Sequence, residues 1–511
     1  MNKNNFTFVD LFSGIGGFRI ALNNLGGKCL NFSEISKDAI NTYCENFNEN
    51  SDKNLGDITK IKELPKHNLL IGGVPCQSWS IAGRNLGFDD DRGQLWNDTI
   101  FLLNQSKPDA FIFENVKGLV DPRNKEALLY ILKRIEDAGY FANYYVLNSF
   151  DYGVPQNRVR IYIVGFKNKE FALKFKIPKP LKNKLRLADI LEDLDEKPVI
   201  SEKKYQMDLF GEIINEKTMS LSQSNGLNDY FLFNDLRNGH STIHSWDIIE
   251  TTDKQKEICY LLLKNRRKSA YGNLDGNPLS LKHFQDLDNS IKQKDLDDLV
   301  KLGIFKEEEY SFVINDIKID LTEDEKLLLD CNLDKKIIVD LVKTNKDIKI
   351  KKISVSKILD SLKEKNVLSC IEKRYDFKNT KISTGLFGVN RVFLPTSDIF
   401  PTLVASDTND FISTSILKSK NEKDYKEEFI NNIYKKNNYR KITKKEACLI
   451  QGFPKAFILP LHRARWMKLL GNSVSVPVIE NIGKAILETG VFDFLNEEKE
   501  VFLDNRVPIS I

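Results

Sequence analysis

The sequence predicts an α/β protein in which a mostly parallel sheet with helices on both faces is joined to a large α+β region. Three observations lead there. From Phe6 to about Phe166 short, continuously apolar runs alternate with segments of helical periodicity, the pattern of strands buried on both faces and covered by helices. After Phe166 this regularity stops at a Lys/Pro stretch, Lys167 to Lys182, and the following residues are polar and rich in Asn, Lys and Asp. It returns between Ile442 and about Leu487, a segment too short for a domain of its own and expected to complete the first one.

In order, the apolar strands are Phe8–Phe12, Cys29–Phe32, Leu69–Gly73, Ala110–Phe113 and Ile161–Gly165, with helical patterns over Phe18–Leu25, Ser36–Phe47 and Lys125–Ala138. The expected divisions are a first lobe over 1–166, a variable region over 167–438, a segment over 439–490 that returns to the lobe, and a tail over 491–511. Inside the variable region, Asp295–Tyr310 (DLDDLVKLGIFKEEEY) and Ile358–Lys373 (ILDSLKEKNVLSCIEK) look alike. Each is an amphipathic helix, a Gly or Asn cap, then a strand. That is the outline of a winged-helix unit near 280–315 and 340–375, although ordinary helix–turn–strand packing gives the same pattern.

The chain has 511 residues, enough for about two to four domains. Its 76 Lys+Arg against 72 Asp+Glu leave a net charge of +4, which excludes a uniformly basic coat and requires any nucleic-acid surface to be local. Two clusters qualify. Lys343–Arg374 holds ten Lys/Arg against four Asp/Glu, and Lys435–Lys445 holds six against none; a solvated helix face is the alternative. The stretch Phe233–Asp247 mixes Arg, His, Asn and Trp suited to base edges, or to a packed loop. The seven cysteines are odd in number, scattered and never spaced C-x-x-C, which argues against a disulfide framework or a metal site and fits a reducing cytoplasm. No apolar leader and no run of 18 apolar residues is present, so neither secretion nor a membrane span is expected.

Several residues carry chemistry. The strand at Phe8–Phe12 runs into Ser13-Gly14-Ile15-Gly16-Gly17, a turn that lets a ligand approach the backbone. Arg19 stands where a third fingerprint glycine would, so a nucleoside ligand without phosphates is favoured over a pyrophosphate. Glu34 follows the second strand at the distance of a ribose-binding acid, and Asp57, expected at the end of the next strand, can accept from an adenine amino group. Cys76, in GGVPCQSWS, follows a buried strand at the sheet edge where a thiolate can act as nucleophile; its Pro and polar neighbours are poor surroundings for a core cysteine. Glu114 ends another buried strand, as a structural acid or as a general acid with raised pKa. Arg158 and Arg160 share one face of the strand that follows, or form a plain surface charge pair.

Together FVDLFSGIGGF, GGVPCQSWS, FENVKGL, QNRVRIYIVGF, RKITKKEACLIQGFP and LGNSVSVPVI resemble the DNA (cytosine-5) methyltransferases of bacterial restriction–modification systems, in the family's motif order. The motif-bearing parts cover about residues 6–166 and 396–487. The resemblance implies a Rossmann-like S-adenosylmethionine-dependent lobe and a target-recognition domain in the variable region. It implies attack by Cys76 on carbon 6 of a flipped-out cytosine while Glu114 engages N3 and the amine, with Arg160 at O2 and Arg158 nearby. It places the cofactor against Phe12, Gly14, Gly16, Glu34, Ile35, Asp57, Ile58, Leu95, Asn472 and Ser473, with Asn472 at the head of the C-terminal helix. Gln77, Ser80, Asn115, Thr402 and Leu403 are the implied substrate or DNA contacts. It further implies duplex DNA as partner, a cognate restriction endonuclease as functional counterpart, no metal, a monomer, and a cytoplasmic location. A transfer-RNA methyltransferase of the same fold and a catalytically inactive DNA-binding relative are the competing classes; the recognition region of about 270 residues favours DNA.

Overall fold

The computed structural model describes residues 6–75, 91–182, 184–194, 230–233, 242–315, 319–344, 352–378, 391–397, 399–408, 410–419 and 422–493. Two compact units divide the chain: Met1–Asp229, Phe393–Lys418 and Ile433–Ile511 form the first, Tyr230–Val392 and Ser419–Asn432 the second.

The first unit begins with β1 (Thr7–Leu11), α1 (Gly17–Asn24), β2 (Lys28–Ser33), α2 (Lys37–Phe47), β3 (Leu69–Gly73), α3 (Asp91–Ser106), β4 (Ala110–Val116) and α4 (Lys125–Asp137). β5 (Phe141–Asn148), β6 (Gln156–Asn157), β7 (Val159–Phe166) and α5 (Lys169–Lys174) follow. The sheet order is β2-β1-β3-β4-β7-β5, and only β7 runs against the others. Phe8, Val9, Leu70, Ile71, Phe111, Ile112 and Ile163 are all fully buried, which is why these central strands read as unbroken apolar runs. β5 departs from that pattern. As the edge strand it leaves Phe141, Tyr144 and Val146 exposed, and its mixed sequence FANYYVLN gives no core signal.

The second unit opens with β8 (Tyr230–Phe233) and β9 (Thr242–Ile243), then α6 (Ser245–Ile248), α7 (Asp253–Asn265), α8 (Leu281–Leu287), α9 (Gln293–Lys301) and β10 (Phe305–Ile314). It continues through α10 (Glu323–Leu329), β11 (Lys336–Ile338), α11 (Val339–Thr344), α12 (Lys352–Glu364) and β12 (Leu368–Phe377). The two look-alike stretches are α9–β10 and α12–β12, and they are related by an internal two-fold. Gly303 and Asn366 hold matching left-handed turns at φ 71° and 56°. Ile304 N bonds Leu299 O as Val367 N bonds Leu362 O, and Lys378 N bonds Ile304 O as Asn315 N bonds Val367 O. β10 and β12 pair with each other, antiparallel. β11 then adds to β10 by pairing Ile337 with Phe312, while Leu279 bridges Tyr375 on β12. In place of two separate winged-helix units the structure therefore has one interlocked pair, in which each repeat receives its third strand from the other. Trp246 and His244, offered by the sequence as base-reading side chains, are buried, with His244 stacked on Trp246 and Trp246 on Phe377; residues 234–241 lie outside the described region.

The chain leaves through β13 (Arg391–Phe393) to β14 (Phe400–Pro401) and β15 (Asp410–Ile412), then α13 (Glu422–Glu428) of the second unit. Last come α14 (Lys444–Gln451), α15 (Arg463–Asn472) and α16 (Val476–Leu487) of the first. α16 lies close on α1: a Cβ on Gly483 would stand 2.7 Å from Leu25 Cδ1, and Asn24 donates to Glu480. Ser475, not Asn472, heads this helix; Asn472 is the last residue of α15. In the basic run that leads into α14, Arg440 is paired with Glu446, and Lys444 donates to the carbonyls of Leu459 and Pro460, so part of that cluster serves the fold.

Candidate active site

The turn after β1 is built on left-handed backbone at Phe12, Gly14 and Gly16, φ 52°, 54° and 88°. For Phe12 this is a strained conformation, of the kind that concentrates at functional sites. At Gly16 a Cβ would stand 2.3 Å from the Phe47 ring, so only glycine fits. At Gly14 a Cβ would meet nothing within 4 Å, which leaves the backbone open to a ligand. Glu34 braces this turn: Oε2 accepts Gly14 N at 3.0 Å, while Oε1 accepts Ile35 N and Ser36 N at 2.8 and 2.7 Å. Oε2 can still accept a further bond, as a ribose hydroxyl requires.

Ile35 beside it is 76% exposed, an apolar side chain available to a flat ring. Asp57 does not end a strand, as its spacing had suggested. It caps a short 3-10 turn, accepting from Thr59 N and Oγ1, and those bonds hold its carboxyl below the usual range. Ile58 is buried in the core and Leu95 packs against the same core, so Ile58 can meet a ligand only through its backbone.

The second half of the site lies on β3, β4 and β7, where Gly73 pairs with Glu114 and Glu114 with Tyr162. Glu114 is buried, and Arg160 Nε stands 3.2 Å from its Oε1. Burial raises the Glu114 pKa, against the opposing pull of Arg160 and then Arg158. A carboxyl so placed is suited to carry a proton. Val74 N donates to Glu114 O at 3.2 Å and Asn115 Nδ2 to Val74 O at 3.1 Å, which fixes the chain two residues before Cys76. Donating to Val74 O and accepting from Val116 N, the Asn115 side chain supports the loop that leads to Cys76. Cys76, Gln77 and Ser80 lie outside the described residues.

Arg158 is a correction. It does not share the role of Arg160, because both ends of its buried guanidinium are held by the protein's own backbone: Nη1 donates to Leu403 O at 3.1 Å, and Nη2 to Gly471 O and Ser473 O at 3.2 and 2.7 Å. Burial, with Arg160 nearby, pushes its pKa down to about 9. Two residues that the motifs carried without a role complete the clamp. Gln156 Nε2 donates to Gln451 Oε1 at 2.7 Å and to Ile450 O at 2.9 Å, and Gln451 Nε2 donates to Ser473 O at 2.9 Å. Leu403 is buried with its N–H on Gln156 Oε1, so it is no groove contact, and Thr402 Oγ1 donates to Asn157 O. The clamp holds the segment around Ser473 against both halves of the site. A Cβ on Gly17 would stand 2.9 Å from Val474, and one on Gly73 would stand 3.8 Å from both Val474 and Glu114 Oε2. Asn472 is left exposed beside them.

A nucleoside fits the open Gly14 backbone, the Glu34 and Asp57 acceptors and exposed Ile35, and a buried carboxyl of raised pKa stands near the end of the strand two places along in the same sheet. Residues 6–488 match the family model of the C-5 cytosine-specific DNA methylases. The chain belongs to this family. It is 39% identical over 490 residues to the Type II methyltransferase M.HgiBI of Herpetosiphon aurantiacus, covering 96% of this chain and 98% of that one. It is 29% identical over 513 residues to M.NlaIV of Neisseria lactamica, covering 94% and 99%, and 29% identical over 516 residues to M.BanI of Aneurinibacillus aneurinilyticus, covering 96% and 98%. As a methylase of this family the protein uses S-adenosylmethionine as methyl donor. Among the described residues no helix is long and apolar enough to cross a membrane, and no three His, Cys, Asp or Glu are grouped to hold a metal ion.

Proposed function

We propose that this cytosine-5 DNA methylase is the protective enzyme of a restriction–modification pair, and that it methylates a cytosine flipped out of duplex DNA. The observation that carries the chemical reading is the buried Glu114 with a raised pKa, beside Arg160, at the end of the strand next to the one leading to Cys76. Carbon 6 of cytosine is a weak electrophile. Glu114 donates its proton to N3 and draws electron density from the ring while the Cys76 thiolate adds to carbon 6; Arg160 holds the O2 oxygen. Carbon 5 thereby becomes nucleophilic. When bound, S-adenosylmethionine supplies an electrophilic methyl group. Its adenosine would rest on Glu34, Ile35 and Asp57, and its remainder near Phe12, Gly14, Gly16 and the Asn472–Ser473 pair. Loss of the carbon 5 proton expels Cys76 and restores the ring. Extruding the base costs a few kcal/mol, offset by contacts in the pocket.

The test is transfer of labelled methyl to duplex DNA and, in parallel, to transfer RNA. DNA is expected to be the substrate, Cys76→Ser to abolish transfer, and bisulfite sequencing to show one modified sequence. Transfer by Cys76→Ser at the wild-type rate removes Cys76 as nucleophile. Better transfer to RNA than to DNA overturns the choice of substrate.

A further inference from the structure

We propose that the Lys/Pro stretch after β7 is a track for the phosphate backbone of duplex DNA, met by Lys176, Lys179 and Lys182. This rests on the reading of the chain as a DNA methylase and gives that reading a DNA-holding surface on the first unit, apart from the reacting groups. Residues 167–184 hold seven Lys against one Glu in a chain whose net charge is only +4, so the remainder of the chain is net negative. Glu170 is paired with Lys174, and Lys184 is held by Asp151. Lys167, Lys169, Lys176, Lys179 and Lys182 are all exposed and have no ion-pair partner among the described residues. The basic stretch Lys343–Arg374 differs, since its four cations from Lys363 to Arg374 are each paired with a glutamate of the second unit. Five unpaired like charges on one short stretch repel one another, and a polyanion relieves that repulsion.

The backbone orders these lysines. Among the described residues no helix or strand forms between α5 and the 3-10 turn at Leu187–Asp189. Pro178 and Pro180 fix their own φ near about −65° and press Ile177 and Lys179 into extended backbone, which Phe175 already has at φ −65° and ψ 128°. In this polyproline II conformation three residues complete a turn, so Lys176, Lys179 and Lys182 recur on one face about 9 Å apart. Another face is turned to the protein: Pro178 O accepts from Tyr152 Oη at 2.9 Å, a Cβ on Gly153 would meet Leu181 Cδ1 at 3.4 Å, and Lys184 reaches Asp151. The ends of the stretch are tied to opposite edges of the sheet. Lys167 N donates to Asp109 O, just before β4 begins, whereas Leu181 N donates to Asp151 O in the turn that follows β5. β5 ends beside the start of β7, with Leu147 opposite Arg160, and this is the edge where Arg160 meets Glu114. A duplex that presents a base to Glu114 and Arg160 therefore brings its flanking phosphates to the edge that carries Lys179 and Lys182, while Lys167 and Lys169 stand toward the opposite one.

Lys179→Gln with Lys182→Gln, and as control Lys167→Gln with Lys169→Gln, remove the same charge from the two ends of the stretch in the full chain, at exposed side chains that carry no ion pair. Lys176→Gln alone gives a second reading of the row. Binding to mixed-sequence duplex DNA is measured over a range of salt concentrations, with melting temperatures and wild-type methyl transfer alongside. The change at 179 and 182 is expected to weaken binding several-fold and to lower the slope of log K against log salt by about two, and Lys176→Gln to lower it by about one. The control is expected to leave the slope unchanged and the affinity within about twofold, since no counterion release is lost there. An unchanged slope with the substitutions at 176, 179 and 182, or an equal fall in the control, overturns the inference and leaves the methylase reading intact. Failure of the wild type to methylate duplex DNA overturns that reading, and this inference with it.

Discussion

Two buried glutamates, one in each unit, are treated in opposite ways. Glu114, in the first, has one cation at 3.2 Å and a raised pKa, because the loss of hydration outweighs the attraction of Arg160. Glu325, in the second, is 3% exposed, yet Lys365, Thr322 and Ser361 all donate to it, and its pKa falls to about 2. The first arrangement costs stability and keeps a proton available. The second fixes a charge and ties α10 to α12. The same residue type thus serves chemistry or scaffold according to how deeply it is buried and how many donors converge on it.

Breaking this contrast gives the largest expected effect. Glu114→Gln cannot protonate N3 and should lower the methyl-transfer rate by about 10²–10⁴. The signs with pH are opposite for the two residues. The folded pKa of Glu114 lies above its unfolded value, so its contribution to stability is full below the unfolded pKa and is lost as pH rises through the folded one. Catalysis that needs its proton falls over that same rise. Glu325 contributes stability above its unfolded pKa and loses it as pH falls toward about 2. Thermal melts across pH should then show Glu114→Gln holding or gaining stability at alkaline pH, and Glu325→Gln losing about 1–3 kcal/mol at neutral pH. Equal destabilisation by both would mean Glu114 is scaffold after all.

Arg158 sharpens the comparison within the first unit. Its three acceptors are backbone carbonyls, so no second substitution can compensate for its loss. Arg158→Met should cost about 3 kcal/mol or more, and Arg158→Lys should not rescue it, because one ammonium cannot replace a planar fork reaching Leu403, Gly471 and Ser473. The readout is the melting temperature with and without S-adenosylmethionine. A variant of full stability that has lost only methyl transfer would return Arg158 to the reacting groups.

What the sequence made legible follows from the range of the forces. β1, β3, β4 and β7 are buried on both faces and declare themselves locally, while β5 at the edge and Asp57 in its 3-10 turn do not. Arg158, between β6 and β7, and Arg160, on β7, are alike in sequence; what separates them is partners 245 to 315 residues away. The repeat was visible as a pattern because helix, cap and strand are local. The exchange of strands between repeats was not, since the register of β10 on β12 is a long-range choice.

The smallest effect tests the repeat itself. Gly303 and Asn366 occupy the same left-handed cap, and asparagine is the side chain that tolerates it best after glycine. Gly303→Asn should cost less than about 0.5 kcal/mol and Gly303→Ala about 1 kcal/mol, because alanine has no local hydrogen bond to offset the crowding of its Cβ. The nearest atom to a Cβ there is Lys378 Nζ at 3.6 Å, an ordinary contact, so only the backbone conformation is being tested. If calorimetry finds Asn as costly as Ala at 303, the two caps are not equivalent, and the internal two-fold loses the feature that sets the direction of both long strands.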